Sequence, residues 1–207
     1  MRDLAGSTSA EARDAEINGQ PPRIGPLPDD QLTDEARELC KRMRTMFGIP
    51  EDGVVPEVVA TMLRHPGLYD AQMVIGLQLG GKGALSPRER ELAVLRQAWL
   101  VGAPYEWGEH VDISRRIGVS TEEIEQVIAG PSAPGWSRHE RALLTAVDEL
   151  ISTYMISDAT WAVLAESWGE PLLMELPVLV GTYVATAMQQ NALRVRLNSN
   201  NPGLSHR

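Results

Sequence analysis

Cysteine occurs once in the 207 residues, as Cys40 in Leu39-Cys40-Lys41-Arg42-Met43. One thiol forms no internal disulfide and supplies no pair of attacking and resolving sulfurs, so a disulfide framework and dithiol peroxidase chemistry are both excluded. Cys40 itself reads as a small semi-buried residue of a helix, and a chain so poor in thiols fits a reducing compartment. Basic charge is also short: 19 Lys and Arg face 28 Asp and Glu, a formal charge of -9. No basic stripe with interleaved aromatics exists, and Arg115-Arg116 reads as a solvated helix face, so no nucleic-acid partner is expected. Histidines at His-x-x-x-His or His-Glu-x-x-His spacing are missing, and no metal is expected. Gly80-Gly81-Lys82-Gly83 lacks the Ser or Thr and the preceding strand of a phosphate loop. No apolar core follows Met1-Arg2-Asp3-Leu4-Ala5-Gly6-Ser7, so a signal peptide is not expected and the location expected is cytoplasmic. The longest uncharged stretch, residues 176–193, is broken by Pro177, Gly181 and Gln189-Gln190-Asn191. It reads as a buried or subunit-facing helix, not a membrane span.

Alternation of period two is absent as well, and what remains is helical punctuation. Ser86-Pro87-Arg88-Glu89 is a capping box with Pro at the first helical position, and Ser120-Thr121-Glu122-Glu123 and Ser137-Arg138-His139-Glu140 are two more. Apolar residues at three- and four-residue spacing follow each, as in Ile124, Val127 and Ile128. Pro66, Gly118 and Gly130-Pro131-Ser132-Ala133-Pro134-Gly135 separate the helices. Residues 1–30, rich in Ala, Gly, Pro and charge, are expected as a flexible or extended N-terminal arm, and residues 31–200 as one all-α domain, a helical bundle. Ser86 to Leu92 and Ser137 to Leu143 resemble each other, an internal helical repeat in which Ala142 stands where the first copy has Glu91.

The chemistry-bearing residues gather in the first copy. Glu106 and His110 lie four apart in Pro104-Tyr105-Glu106-Trp107-Gly108-Glu109-His110, one turn apart on one helical face, where a carboxylate and an imidazole can share a proton. Such a pair is often only a surface ion pair. Against that plain alternative, Tyr105 and Trp107 flank Glu106, and a desolvated carboxyl has its pKa pushed upward. Glu91 shares a helical face with Val94, Leu95 and Ala98, and a carboxylate on an apolar stripe is costly without a partner, for which Arg96 is available. His65, His139 and His206 read as surface residues, and Trp161, Trp168 and Tyr183 as core or pocket wall.

The order Glu91, Ala103, Glu106, His110, together with Arg90-Glu91-Leu92 and Tyr105-Glu106-Trp107, resembles the carboxymuconolactone decarboxylase and alkylhydroperoxidase D superfamily. Ala103 and Glu106 stand where the peroxidase branch has its Cys-x-x-Cys pair, so the likeness is to the decarboxylase-like branch. The resemblance implies a cofactor-independent lyase or isomerase that acts on a small lactone or carboxylic acid from aromatic or polyketide metabolism. It implies His110 as the proton-transferring group, Glu106 as the residue orienting it, and Glu91 as a second acid/base or substrate anchor. Arg96 would fork onto a substrate carboxylate, with Tyr105 and Trp107 beside the substrate. It also implies a homo-oligomer, trimer or hexamer, which the apolar 176–193 helix and the arm would serve. Two other functions remain open at this point: a hydrolase or dehydratase using the same three residues, and a noncatalytic oligomer that binds a small molecule or a partner.

Overall fold

The computed structural model describes residues 9–47, 50 and 55–207. Ten α-helices follow in order: α1 (Ala10–Asn18), α2 (Asp34–Phe47), α3 (Glu57–Met62), α4 (Pro66–Gly81), α5 (Pro87–Val101), α6 (Pro104–Arg116), α7 (Thr121–Ala129), α8 (Arg138–Thr153), α9 (Asp158–Ala165) and α10 (Glu170–Leu193). Among the described residues there is no strand, so the fold is all-α, as the absence of alternation predicts.

All three capping boxes form. In each, the Ser side chain accepts from the backbone N–H three residues on, and the Glu at that position reaches back to the Ser backbone. Each cap contributes about 1 kcal/mol by satisfying amides that a helix start leaves without partners. The three glutamates also meet in space. Arg88 binds both Glu123 and Glu140, and Glu89 accepts from Trp168 Nε1 and contacts His139 Nε2, each at 3.0 Å. Helix starts far apart in sequence are thereby pinned together, and His139, expected on the surface, is half-buried with its ring edge against Trp168.

Helix α5 is central. Residues 91–98 are all buried, because α6, α8 and α10 pack around it. Leu92, Val94, Leu95 and Ala98 join Trp107 and Val111 of α6, Leu143 and Val147 of α8, and Leu176 and Leu179 of α10 in the main core. α5 ends at Gly102, whose φ of 61° is the left-handed conformation that glycine adopts without cost, and only Gly102 and Ala103 link it to α6. So short a link makes α5 and α6 antiparallel neighbours, and α8 and α9 form the corresponding second pair. A smaller core joins Ala36, Leu39, Cys40 and Met43 of α2 to Val59 and Leu63, which buries the single thiol.

The N-terminal arm departs from expectation. Residues 1–8 lie outside the described residues, but 10–18 form helix α1, capped by Ser9 and docked on the far end of the chain. Leu204 N–H donates to Asp14 at 3.0 Å, and Gly203 at φ 66° lets the backbone come this close, since a Cβ there would sit 2.6 Å from Asp14 Oδ1. The following stretch runs along the body of its own chain, with Arg23 N–H on the Leu193 carbonyl and Leu27 N–H on that of Ala60. The arm is tethered because its amides find acceptors on distant segments, which composition does not reveal.

Helix α10 includes the uncharged stretch 176–193. One side, with Leu176, Leu179, Val180 and Ala187, is buried, and the other exposes Met174, Val178 and Met188. By length and composition alone this helix is also apolar enough to cross a membrane.

Candidate active site

Helix α5 carries Glu91 one turn beyond its cap, and the short link to α6 brings His110 beside it. Glu91 Oε2 lies 2.6 Å from His110 Nδ1, and Glu91 Oε1 accepts from Arg90 Nε at 3.0 Å. Arg90 is held in turn by the Gly80 carbonyl at 2.8 Å. Burial pushes the Glu91 carboxyl upward, yet the hydrogen bonds and charges of His110 and Arg90 together outweigh it, and its pKa ends below the ordinary value. An ionised carboxylate only accepts, so His110 Nδ1 carries the hydrogen in that contact, and in the neutral imidazole the lone pair is on Nε2.

Glu106 does not orient His110. It stands at the third position of α6, where a glutamate often reaches back to the helix cap, but the Ala103 N–H is already donated to Ala98 O at 2.9 Å. The side chain turns inward instead, and neither carboxylate oxygen has a hydrogen-bond partner among the described residues. Burial raises its pKa well above the ordinary value. The start of a helix favours an anion by up to about 2 kcal/mol. Leaving a buried carboxylate unpaired costs several kcal/mol, so burial favours the neutral form of Glu106.

Tyr183 of α10 closes the group. Its ring meets His110 edge-on, with centroids 5.1 Å apart and planes at 82°. Its phenol is pushed upward by burial, and then by the charges of Glu91 and Glu106. Sequence reading grouped Tyr183 with core and wall residues; only the packing of α10 on α5 and α6 singles it out from Trp161 and Trp168.

The expected substrate-side residues lie elsewhere. Arg96 forks onto Asp148 of α8, Nε to Oδ1 at 2.6 Å and Nη2 to Oδ2 at 2.9 Å, and its Nη1 donates to the carbonyls of Val127 and Ile128. Gly130, at φ 93°, makes room for this guanidinium, because a Cβ there would lie 2.8 Å from Nη2. Arg96 therefore clamps α5 to α7 and α8, and Arg90 rather than Arg96 is the cation at Glu91. Tyr105 and Trp107 each project about 100° around α6 from Glu106. The Tyr105 hydroxyl accepts from Asn198 Nδ2 at 3.0 Å, and Trp107 Nε1 donates to the His206 carbonyl at 3.0 Å while its ring packs on Trp99. Both serve the packing of the C-terminal segment. His206 is partly buried as well, its Nε2 2.8 Å from Asp112, and His65 accepts from Leu68 N–H at the start of α4. Among the described residues no three His, Cys, Asp or Glu side chains converge as a metal-holding group.

The arrangement thus brings together a carboxyl drawn toward its ionised form, an imidazole bonded to it, a buried carboxyl pushed toward its neutral form, and a phenol. This set can move a proton without a thiol. Comparison with known proteins agrees in fold. The sequence profile of the carboxymuconolactone decarboxylase family matches residues 51–149. No curated protein matches the chain. Among solved structures, the alkylhydroperoxidase AhpD core of an uncharacterised peroxidase-related protein from Ralstonia eutropha JMP134 is similar, with 19% identity, a TM-score of 0.71 and coverage of 87% of this chain and 94% of that one. The debrominase Bmp8 in complex with 2,3,4-tribromopyrrole is similar at 14% identity and TM-score 0.69, over 86% and 92% of the two chains. A putative antioxidant defence protein AhpD from Agrobacterium tumefaciens is 21% identical at TM-score 0.61, over 66% and 94%.

Proposed function

Because residues 51–149 match the carboxymuconolactone decarboxylase family, we propose that the chain is a cofactor-independent acid/base enzyme acting on a small carbonyl compound, as a lyase or isomerase. The observation that carries this reading is the 2.6 Å contact between Glu91 Oε2 and His110 Nδ1 in a buried setting. Glu91 fixes the imidazole tautomer and holds the charge that develops when Nε2 takes a proton. His110 and then Arg90 hold the Glu91 pKa below its ordinary value, against its burial. A lactone or enone supplies its own electron sink, which is why no cofactor is invoked. A neighbour in the fold is in complex with a small brominated ring, which supports a small cyclic substrate.

The same reading includes a homo-oligomer, trimer or hexamer. Its support is the exposed apolar face of α10 together with Val74, Ile75 and Leu77 of α4.

The enzyme reading is tested with Glu91→Gln, His110→Asn and the double variant, measured for melting temperature and for turnover on lactone and enone substrates. Each single variant should keep the fold and lose about 10² to 10⁴ in turnover, with the double variant little worse than either. Lowered melting temperature with normal turnover in all three would discard the site in favour of a structural pair.

A further inference from the structure

Both oxygens of Glu106 are buried and without a hydrogen-bond partner among the described residues, one turn from the imidazole and within electrostatic reach of Tyr183. A native fold rarely leaves a buried carboxyl empty-handed unless a ligand completes it. The cations that could welcome an anion there are already committed: Arg90 to Glu91 and the Gly80 carbonyl, Arg96 to Asp148 and two carbonyls. Glu91 adds a negative charge on the same side of the site.

We propose that Glu106 is a hydrogen-bond donor to a neutral carbonyl or lactone oxygen, so that the site takes an uncharged cyclic enone or lactone and turns away free carboxylates. This rests on the acid/base reading above and narrows it. A substrate carboxylate would enter a buried site beside Glu91, whose own partners Arg90 and His110 are already engaged, and desolvation makes that arrangement costly. A ketone or lactone oxygen accepts a hydrogen bond from Glu106 without either penalty, and the bond strengthens as the oxygen gains charge.

The reaction this favours is isomerisation. His110 Nε2 removes a proton from the carbon next to the carbonyl, and that electron pair moves into the C–C–O system, leaving a dienolate oxygen held by the Glu106 hydroxyl. The imidazolium returns the same proton to the γ-carbon, the double bond shifts, and the carbonyl re-forms. Substrate and product have the same composition, nothing is oxidised or reduced, and both enzyme groups end as they began. Decarboxylation would instead require the free carboxylate that the site disfavours.

The test reads Glu106 directly and does not depend on turnover. Infrared difference spectra of the intact protein near neutral pH are compared with those of Glu106→Gln and Glu106→Met, the second guarding against misfolding of the first. The expected result is a protonated-carboxyl stretch present in the wild type and lost in both variants. Adding cyclohex-2-enone should shift that band downward, and adding cyclohex-1-enecarboxylate at the same concentration should leave it unmoved. An absent band, a band unmoved by the enone, or a band shifted or abolished by the carboxylate each overturns the proposal. If Glu91→Gln and His110→Asn still lose turnover in that event, the acid/base reading survives without this substrate class.

Discussion

Glu91 and His110, nineteen residues apart in sequence, meet at 2.6 Å, whereas Glu106, a single helical turn from His110, bonds to neither of them. Proximity along a helix offered the imidazole one carboxyl, and tertiary packing supplied the other. The two carboxyls then diverge, one drawn toward its ionised form by its partners and one pushed toward its neutral form by burial. Environments that push two acids apart in this way separate their chemical roles.

The ion pair behind Glu91 governs the acidic limb of any activity. Arg90→Ala removes a hydrogen bond and a positive charge that lower the Glu91 pKa, while burial, which raises it, stays in place. The pKa of Glu91 should therefore move up, and the acidic limb of the rate profile should shift toward higher pH. Arg90→Lys should fall between the two. A profile that does not move would separate Glu91 from the rate.

Glu106 governs stability at the other end of the scale. Its folded pKa lies above the unfolded one, so its contribution is fully present below the unfolded value and is lost as pH rises toward the folded value. Over that window stability should fall by up to about 1.4 kcal/mol for each pH unit. Glu106→Gln has no proton to lose and should flatten that slope. Melting temperature followed from the ordinary carboxyl range upward in pH, wild type against variant, is the measurement.

Gly108 is the position most sensitive to a single methyl. It lies on α6 where Asn201 packs, and a Cβ there would overlap Asn201 Oδ1. Asn201 also donates to the Tyr105 carbonyl and to Glu109, each at 2.9 Å, so it cannot give way without breaking both bonds. Gly108→Ala should cost about 1–3 kcal/mol by overpacking, read by denaturant titration. Truncating Asn201 to Gly in the same chain should recover part of that loss.

Light scattering at micromolar concentration should return the mass of a trimer or hexamer. Met174→Glu with Val178→Glu on the exposed side of α10 should reduce that mass while leaving the helical signal intact. A monomer mass for the unmodified chain would remove the oligomer from the proposal.

Much of the fold was legible because its signals are local. Ser86, Ser120 and Ser137 with their glutamates mark three helix starts to the residue, and the lack of alternation excludes a sheet. Glu91, Glu106 and His110 stood out as acids and a base among apolar neighbours. What sequence could not supply was direction. Arg96 is five residues beyond Glu91 and so points away from it, toward Asp148, while Arg90 beside it in sequence reaches it. Tyr105 and Trp107 flank Glu106 in the chain yet face the C-terminal segment. Helix α1 stayed hidden for a related reason: its docking depends on Gly203 and Leu204, some 190 residues away.

The carbonyl of Gly102, at the hinge between α5 and α6, receives Arg13 from one end of the chain and Asn191 from the other at 3.2 and 3.1 Å. That single oxygen is a keystone laid late in synthesis. During translation α5 and α6 leave the ribosome before α10, so Glu91, Glu106 and His110 are made before Tyr183 and Asn191 can close over them. The group is then closed only when Asn191 reaches back over a hinge made 89 residues earlier.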